Sequence, residues 1–269
     1  MKYENIIDLH THSIVSFDGH DSCTALCQSA IEKGAIGLAV TDHCDIDDPS
    51  LDTAAFVDKQ LNSIVDAKLE IKGKIALLAG IELGQGIYRK EESEKLLDSF
   101  NYDVVLGSIH NLENMQDFYF LEYDNDNVDD LLQRYFEAEL QLAQWNYFDS
   151  LAHLTYPLRY ICGKYHLEVD LSKYSEIIDA IFETLIYNKK ALELNVSSLF
   201  NYHGDTMPSA DLIKRFHDMG GKYVTVGTDA HTADKVSIGI DKGYEILQAC
   251  GYEHFTIFVH REPWLMPVR

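Results

Sequence analysis

Cysteine is scarce and poorly placed for chemistry: the five residues, Cys23, Cys27, Cys44, Cys162 and Cys250, are odd in number and include no C-x-x-C pair. That excludes a disulfide framework and a thiolate zinc cluster, and it suits a reducing compartment, so a cytoplasmic location is expected. Positive charge is thin as well, because 22 Lys and Arg face 44 Asp and Glu and leave a formal net charge of -22. A field of that sign repels polyanions, so no nucleic-acid partner is expected, whereas a small substrate drawn in by bound cations escapes the objection. The opening stretch Met1-Lys2-Tyr3-Glu4-Asn5 lacks the apolar h-region of a signal peptide and leads straight into an expected strand. No run approaches the length of a membrane span, so no membrane partner is expected. There is also no G-x-S-x-G elbow and no Walker loop, which leaves covalent serine catalysis and phosphate-loop chemistry without support.

What is present is a chain of 269 residues, 46% apolar and 25% charged, sized for one large core and expected to form a single domain over 1–269. Short apolar runs alternate with amphipathic stretches, the pattern of β-α units around a parallel sheet. The runs cover 6–12, 35–43, 75–82, 104–110, 148–153, 191–197 and 223–231. Helices are expected over about 22–33, 53–69, 128–145, 177–185, 209–219 and 243–249, with a short helical turn over 95–100. The 53–69 helix should bury Val57, Leu61, Ile64 and Val65. An eighth apolar run, Phe255 to Val259, is left over. Residues 111–125 read as a loop over one mouth of the sheet, with Tyr119, Phe120 and Tyr123 packing it down.

The chemistry lies where the runs end. In Asp8-Leu9-His10-Thr11-His12 three metal-philic side chains alternate, and in an extended strand residues two apart share a face. The other tips carry His43, Glu82, His110, His153, and then Asp229 with His231. In a parallel barrel the C-terminal strand ends converge where loops build an active site. Imidazoles and carboxylates crowded there are costly to desolvate unless divalent cations neutralise the carboxylates and use the nitrogen lone pairs. A multinuclear metal site follows.

The ordered set Asp8-Leu9-His10-Thr11-His12, Thr41-Asp42-His43, Gly80-Ile81-Glu82, Gly107-Ser108-Ile109-His110, Ala152-His153 and Gly227-Thr228-Asp229-Ala230-His231 resembles the successive motifs of the polymerase-and-histidinol-phosphatase (PHP) superfamily. The resemblance implies an α/β fold, a distorted TIM-like (β/α)7 barrel with its active site at the C-terminal strand ends, which agrees with the seven runs. It implies a metal-dependent phosphatase with two or three divalent ions, Mn, Fe or Zn. His10, His12, Glu82 and Asp229 would hold the first ion. Glu82 would bridge to a second, held also by His110 and His153, and Asp18, His43 and His231 would take a third. The role of Asp18, in Ser16-Phe17-Asp18-Gly19, rests on the resemblance alone, and a carboxylate there favours a harder metal such as Mn or Fe, with zinc still possible.

Asp8 and Asp42 read as carboxylates that fix ligand imidazoles in one tautomer. Two or three close cations bind phosphate oxygens, lower the pKa of a bridging water and offset charge on the leaving oxygen, with Glu82 and Asp229 holding the ions that do so. Arg159 and His203 are the candidate substrate contacts, the first through its planar fork and the second from the segment after the sixth strand. Asp45, Asp47 and Asp48 could receive a cationic substrate but read more simply as a solvated capping loop. The substrate implied by the resemblance is a small phosphate ester, L-histidinol phosphate first. A nucleotide or nucleic-acid phosphoesterase, an amidohydrolase and a non-catalytic metal-binding regulator are the alternatives.

Overall fold

In the computed structural model, residues 3–201 and 203–269 are described. Met1 and Lys2, part of the stretch expected to lead into the first strand, and Tyr202, in the segment after the sixth, lie outside them. Seven parallel strands form a nearly closed barrel: β1 (Ile7–Asp8), β2 (Gly37–Val40) continued by β3 (His43–Asp45), β4 (Ala76–Gly84), β5 (Val104–Ser108), β6 (Ser150–Leu151), β7 (Ala191–Asn195) and β8 (Val224–Gly227). β2 and β3 count as one barrel strand because both pair with β4 in one continuous register, Gly37 opposite Ala76 and His43 opposite Glu82. Between them Thr41 turns its N–H to the Thr11 carbonyl instead, at 2.8 Å. The ring closes where Leu9 donates to Val226 at 3.1 Å, Asp229 to His10 at 2.8 Å and His12 to Ala230 at 2.8 Å.

The helices form for local reasons that the sequence shows. Helix α1 (Cys23–Glu32) starts at Ser22, whose hydroxyl accepts the Ala25 N–H at 3.2 Å, and it buries Cys23, Leu26, Cys27 and Ala30. Helix α2 (Thr53–Ile71) is capped by Asp52 and stopped by Lys72 in the left-handed region. Its buried stripe is Phe56, Gln60, Ile64, Ala67 and Ile71, so the expected face is rotated and Val65 is exposed. The rotation brings the Gln60 amide to the Gly80 carbonyl at 3.0 Å, which ties the helix to β4. Helix α3 (Lys90–Asp98) begins earlier than the expected turn, and α4 (Val128–Trp145), α5 (Ser175–Asn188), α6 (Ala210–Asp218) and α7 (Ile240–Ala249) complete the outer layer. Among the described residues no helix is long and apolar enough to cross a membrane.

The leftover run is strand β9 (His254–Val259), and it pairs antiparallel with β10 (Glu262–Pro267) rather than joining the barrel. Phe255, Thr256 and Phe258 are buried, and the turn residues His260 and Arg261, both at positive φ, reach the barrel at the starts of β5 and β6. Arg261 donates through Nε to Asp149 Oδ2 at 3.0 Å, and its backbone N–H donates to the Asp103 carbonyl at 2.9 Å. Burying two phenylalanines there contributes about 1.5–3 kcal/mol each. The hairpin therefore closes the end of the barrel opposite the strand tips.

Candidate metal centre

The tips meet. Around Glu82, His10 Nε2 lies 3.2 Å from Oε2 and His12 Nε2 lies 3.6 Å from it, while Asp229 Oδ1 is 3.6 and 3.2 Å from the same two nitrogens. On the other side, Glu82 Oε1 is 2.8 Å from His153 Nε2 and 3.2 Å from His110 Nε2. Farther out, Asp18 Oδ2 is 3.1 Å from His231 Nε2, and Asp18 Oδ1 is 3.7 Å from His43 Nε2. His43 also places Nδ1 2.8 Å from Glu82 Oε2, because β3 and β4 set the two residues opposite one another.

Several of these atoms have no hydrogen bond among the described residues although they are buried: His10 Nε2, His12 Nε2, His43 Nδ1, Asp18 Oδ1 and Glu82 Oε2. Proximity without hydrogen-bond angles is what lone pairs aimed at a common centre produce. Four donors about 2.0–2.2 Å from one ion in a tetrahedron lie about 3.3–3.6 Å from each other, which matches the spacing of His10, His12, Glu82 and Asp229. The donor set therefore fits divalent cations, and groups such as His10–His12–Glu82 and His43–Glu82–His110 bring three donors together at once.

The electrostatics agree. Burial opposes ionisation of Glu82, yet His10, His43 and His110 hold its carboxyl well below the usual range. Burial likewise opposes the charge on Asp229, and His10, His12, His231 and Arg159 overcome it. His12 is driven the other way, well below its ordinary value, by burial and by the neighbouring His43 and His231. A field that keeps the carboxylates ionised and the His12 nitrogen unprotonated is one that a cation would strengthen.

The far sides of His10, His110 and His12 show how these rings are aimed. His10 Nδ1 is 2.7 Å from Glu193 Oε1, whose other oxygen accepts the His153 N–H at 2.8 Å. Glu193, buried on β7, braces two tips at once, and Gly227 makes room for it, since a Cβ there would stand 2.3 Å from His10 Cβ and 2.6 Å from the Glu193 carboxylate. His110 Nδ1 lies 3.2 Å from Asp45 Oδ1, with Gly84 leaving the space. His12 Nδ1 is 3.2 Å from the Ser16 hydroxyl, which donates to Asp42 Oδ1 and so accepts from the imidazole. His153 and Asp229 both sit at positive φ, 26° and 52°, backbone strain concentrated at the site.

Several expectations need correction here. Asp8 holds no imidazole: β1 ends at Asp8, and its carboxylate accepts from the backbone of Thr228 at 2.9 Å and Ser237 at 2.8 Å, steadying the turn before Asp229. Asp42 reaches His12 only through Ser16. Asp45 and Asp47 are not simply solvated, since Asp47 accepts from Gln85 at 3.2 Å and Asn111 at 2.9 Å, although Asp48 does serve the Ser50 turn. Of the loop aromatics, Tyr123 packs inward with buried Phe118, but Tyr119 and Phe120 are exposed.

A cavity of about 1010 Å³ opens onto the centre, lined by Asp18, His43, His110, His153, Asp229 and His231 among others. Arg159 lines it too, donating through Nη2 to Asp229 Oδ2 at 3.2 Å and through Nε to the Ser198 hydroxyl at 3.0 Å. His203 does not line it; burial and the nearby Arg159 charge lower its pKa, partly offset by Asp205. Glu193 was hidden from sequence reasoning because it lies inside a strand run and not at its tip. Replacing it by Ala should weaken metal affinity about 10–100-fold. A competition titration against a chromophoric chelator checks this, and unchanged affinity would leave Glu193 a packing residue.

Comparisons with known proteins agree with this geometry. The model of the PHP domain matches residues 8–197. The histidinol-phosphatase of Lactococcus lactis is 28% identical over 255 residues, spanning 94% of each chain, and the probable histidinol-phosphatase of Clostridium acetobutylicum is 27% identical over 250 residues, spanning 91% of this chain and 94% of that protein. The crystal structure of histidinol phosphate phosphatase from Lactococcus lactis, complexed with zinc, L-histidinol and phosphate, superposes with a TM-score of 0.83 at 26% identity, covering 96% of this chain and 98% of that one. With its motifs, barrel and family match in agreement, the chain belongs to the PHP domain family.

Proposed function

We propose that this protein is a metal-dependent phosphomonoesterase that hydrolyses L-histidinol phosphate to L-histidinol and phosphate. The observation that carries the reading is the meeting of six imidazoles with Asp18, Glu82 and Asp229 at the floor of one cavity that Arg159 also lines. The names of the relatives support the substrate. His10, His12, Glu82 and Asp229 would hold one ion, Glu82, His110 and His153 a second, and Asp18, His43 and His231 a third. Ions there supply Lewis acidity toward phosphate oxygens and lower the pKa of water for attack at phosphorus.

The chain's own groups do the rest. Glu193, Asp45 and Ser16 keep the Nε2 lone pairs of His10, His110 and His12 directed inward. Arg159 is held by Asp229, Ser197 and Ser198 through Nε and Nη2, and among the described residues Nη1 is left to meet a phosphate oxygen. The ions themselves are two or three divalent cations. The carboxylate of Asp18 favours Mn or Fe at the outer position, and the zinc in the Lactococcus structure supports Zn as the alternative.

Phosphate release from L-histidinol phosphate, nucleotides and aryl phosphates tests the reading. The kcat/KM for L-histidinol phosphate should exceed that for nucleotides by about 100-fold or more. Faster turnover of nucleotides would overturn the substrate, and no phosphate release from any ester in metal-loaded protein would overturn the reaction.

A further inference from the structure

The cavity has an outer part whose chemistry differs from its floor. Asp117, in the wall, accepts the Tyr119 N–H at 2.6 Å and the Tyr156 hydroxyl at 3.2 Å, both on Oδ1. The Tyr156 ring in turn packs 5.2 Å from the His110 ring and 5.1 Å from the His153 ring, so this carboxylate stands one aromatic ring away from the metal centre. Among the described residues nothing basic pairs with it, and His110 acts on it only at longer range. Among the described residues the Lys and Arg side chains that line the cavity are engaged elsewhere: Lys59 Nζ donates to the Ile14 carbonyl at 3.1 Å, and Arg159 is committed to Asp229, Ser197 and Ser198.

Beside Asp117, Tyr119 and Phe120 are 54% and 67% exposed and line the same cavity. Phe17, on the loop before Asp18, is 78% exposed and stacks at 5.2 Å on His43. A half-buried carboxylate without a counter-ion, next to uncovered aromatic faces, is complementary to a planar or compact cation.

We infer that Asp117 sets specificity for the alcohol half of the substrate, receiving a protonated amine or imidazolium while the metal centre and Arg159 hold the phosphoryl group. The inference deepens the phosphomonoesterase reading and rests on it. A competing account is purely local, because Asp117 also caps the short helical turn Phe118–Phe120. Asp117→Asn separates the two, since the amide oxygen can still cap and only the charge is lost.

The test is selectivity: kcat/KM for L-histidinol phosphate and for phosphoethanolamine, each divided by that for phenyl phosphate. In Asp117→Asn both ratios should fall by about tenfold or more, with the loss mainly in KM. Ratios within twofold of wild type, including an equal loss on all three esters, would overturn the inference. Wild type that prefers phosphoethanolamine to L-histidinol phosphate, and loses that preference in the variant, would overturn the histidinol assignment and uphold Asp117. Wild type that prefers phenyl phosphate to both would overturn Asp117. Should the variant not fold, wild type alone decides: L-histidinol should inhibit phenyl phosphate turnover at least tenfold better than benzyl alcohol, and equal inhibition would overturn the inference.

Discussion

Glu82→Gln is expected to lower kcat for phosphate release by about 10³-fold or more, and to reduce the metal content of the purified protein. The magnitude follows from position. Glu82 Oε1 lies within 2.8 Å of His153 and 3.2 Å of His110, and Oε2 within 2.8 Å of His43 and 3.2 Å of His10, so one carboxylate would be shared by the first and second ions and touches a ligand of the third. Glutamine keeps the shape but removes the negative charge between mutually repelling cations and imidazoles. A Lewis-acid centre contributes several kcal/mol to transition-state stabilisation, and each 1.4 kcal/mol is about tenfold in rate. Metal analysis together with single-substrate kinetics checks the result. Chelation of the wild type should mimic the variant, with recovery on adding Mn or Zn. Undiminished turnover by Glu82→Gln, or by wild type verified to be metal-free, would remove the basis for metal-assisted hydrolysis.

The site was legible in the sequence to the extent that it sits at strand tips. Apolar runs ending in His12, His43, Glu82, His110, His153 and His231 are a departure from core composition that packing alone does not explain, and parallel topology then dictates where they meet. What stayed hidden depends on three dimensions. Glu193 reads as a stray charge within Ala191–Asn195 until β7 is set beside β8 and Gly227 opens space for its contact with His10. Asp45 belongs to a run of acids that looks solvated, and only the β3–β4 pairing brings it to His110.

Fold details were lost for equally physical reasons. Strand β10 contains Pro263 and Pro267 and no clean alternation, features tolerated because it is an edge strand with a single partner. The buried face of α2 departs from the apolar pattern because Gln60 counts as polar in any hydrophobic pattern, yet it is fully buried with its amide bonded to β4. Asp8 shows the limit of periodicity: residues two apart share a face only while the strand continues, and β1 ends at Asp8 itself.

Glu139 yields the second large effect, on stability, and it was invisible to motif reasoning. It lies on α4, fully buried, and among the described residues neither carboxylate oxygen makes a hydrogen bond of good geometry, the Tyr135 hydroxyl of the same helix acting on it only short of that. Burial pushes its carboxyl up from 4.5 to about 8, outweighing Tyr135 and His110, which act in the other direction. The folded chain therefore holds a proton that the unfolded chain releases near pH 4.5, and between those values stability falls as pH rises, by about 1.4 kcal/mol per unit. The accumulated loss at pH 8 is on the order of 4 kcal/mol, large against a net stability of about 5–15 kcal/mol. Glu139→Gln cannot ionise, so in metal-free protein the variant should gain on wild type steadily from pH 5 to pH 8. At the acid end, where wild type carries a neutral carboxylic acid, the two should agree within about 1 kcal/mol. Comparing variant with wild type at each pH cancels the titration of the imidazoles, which both share. Urea unfolding in a pH series supplies the measurement, and parallel curves would show that Glu139 is already ionised in the folded protein. Adding divalent metal should narrow the gap, because cations beside His110 favour the Glu139 carboxylate just as they favour Glu82.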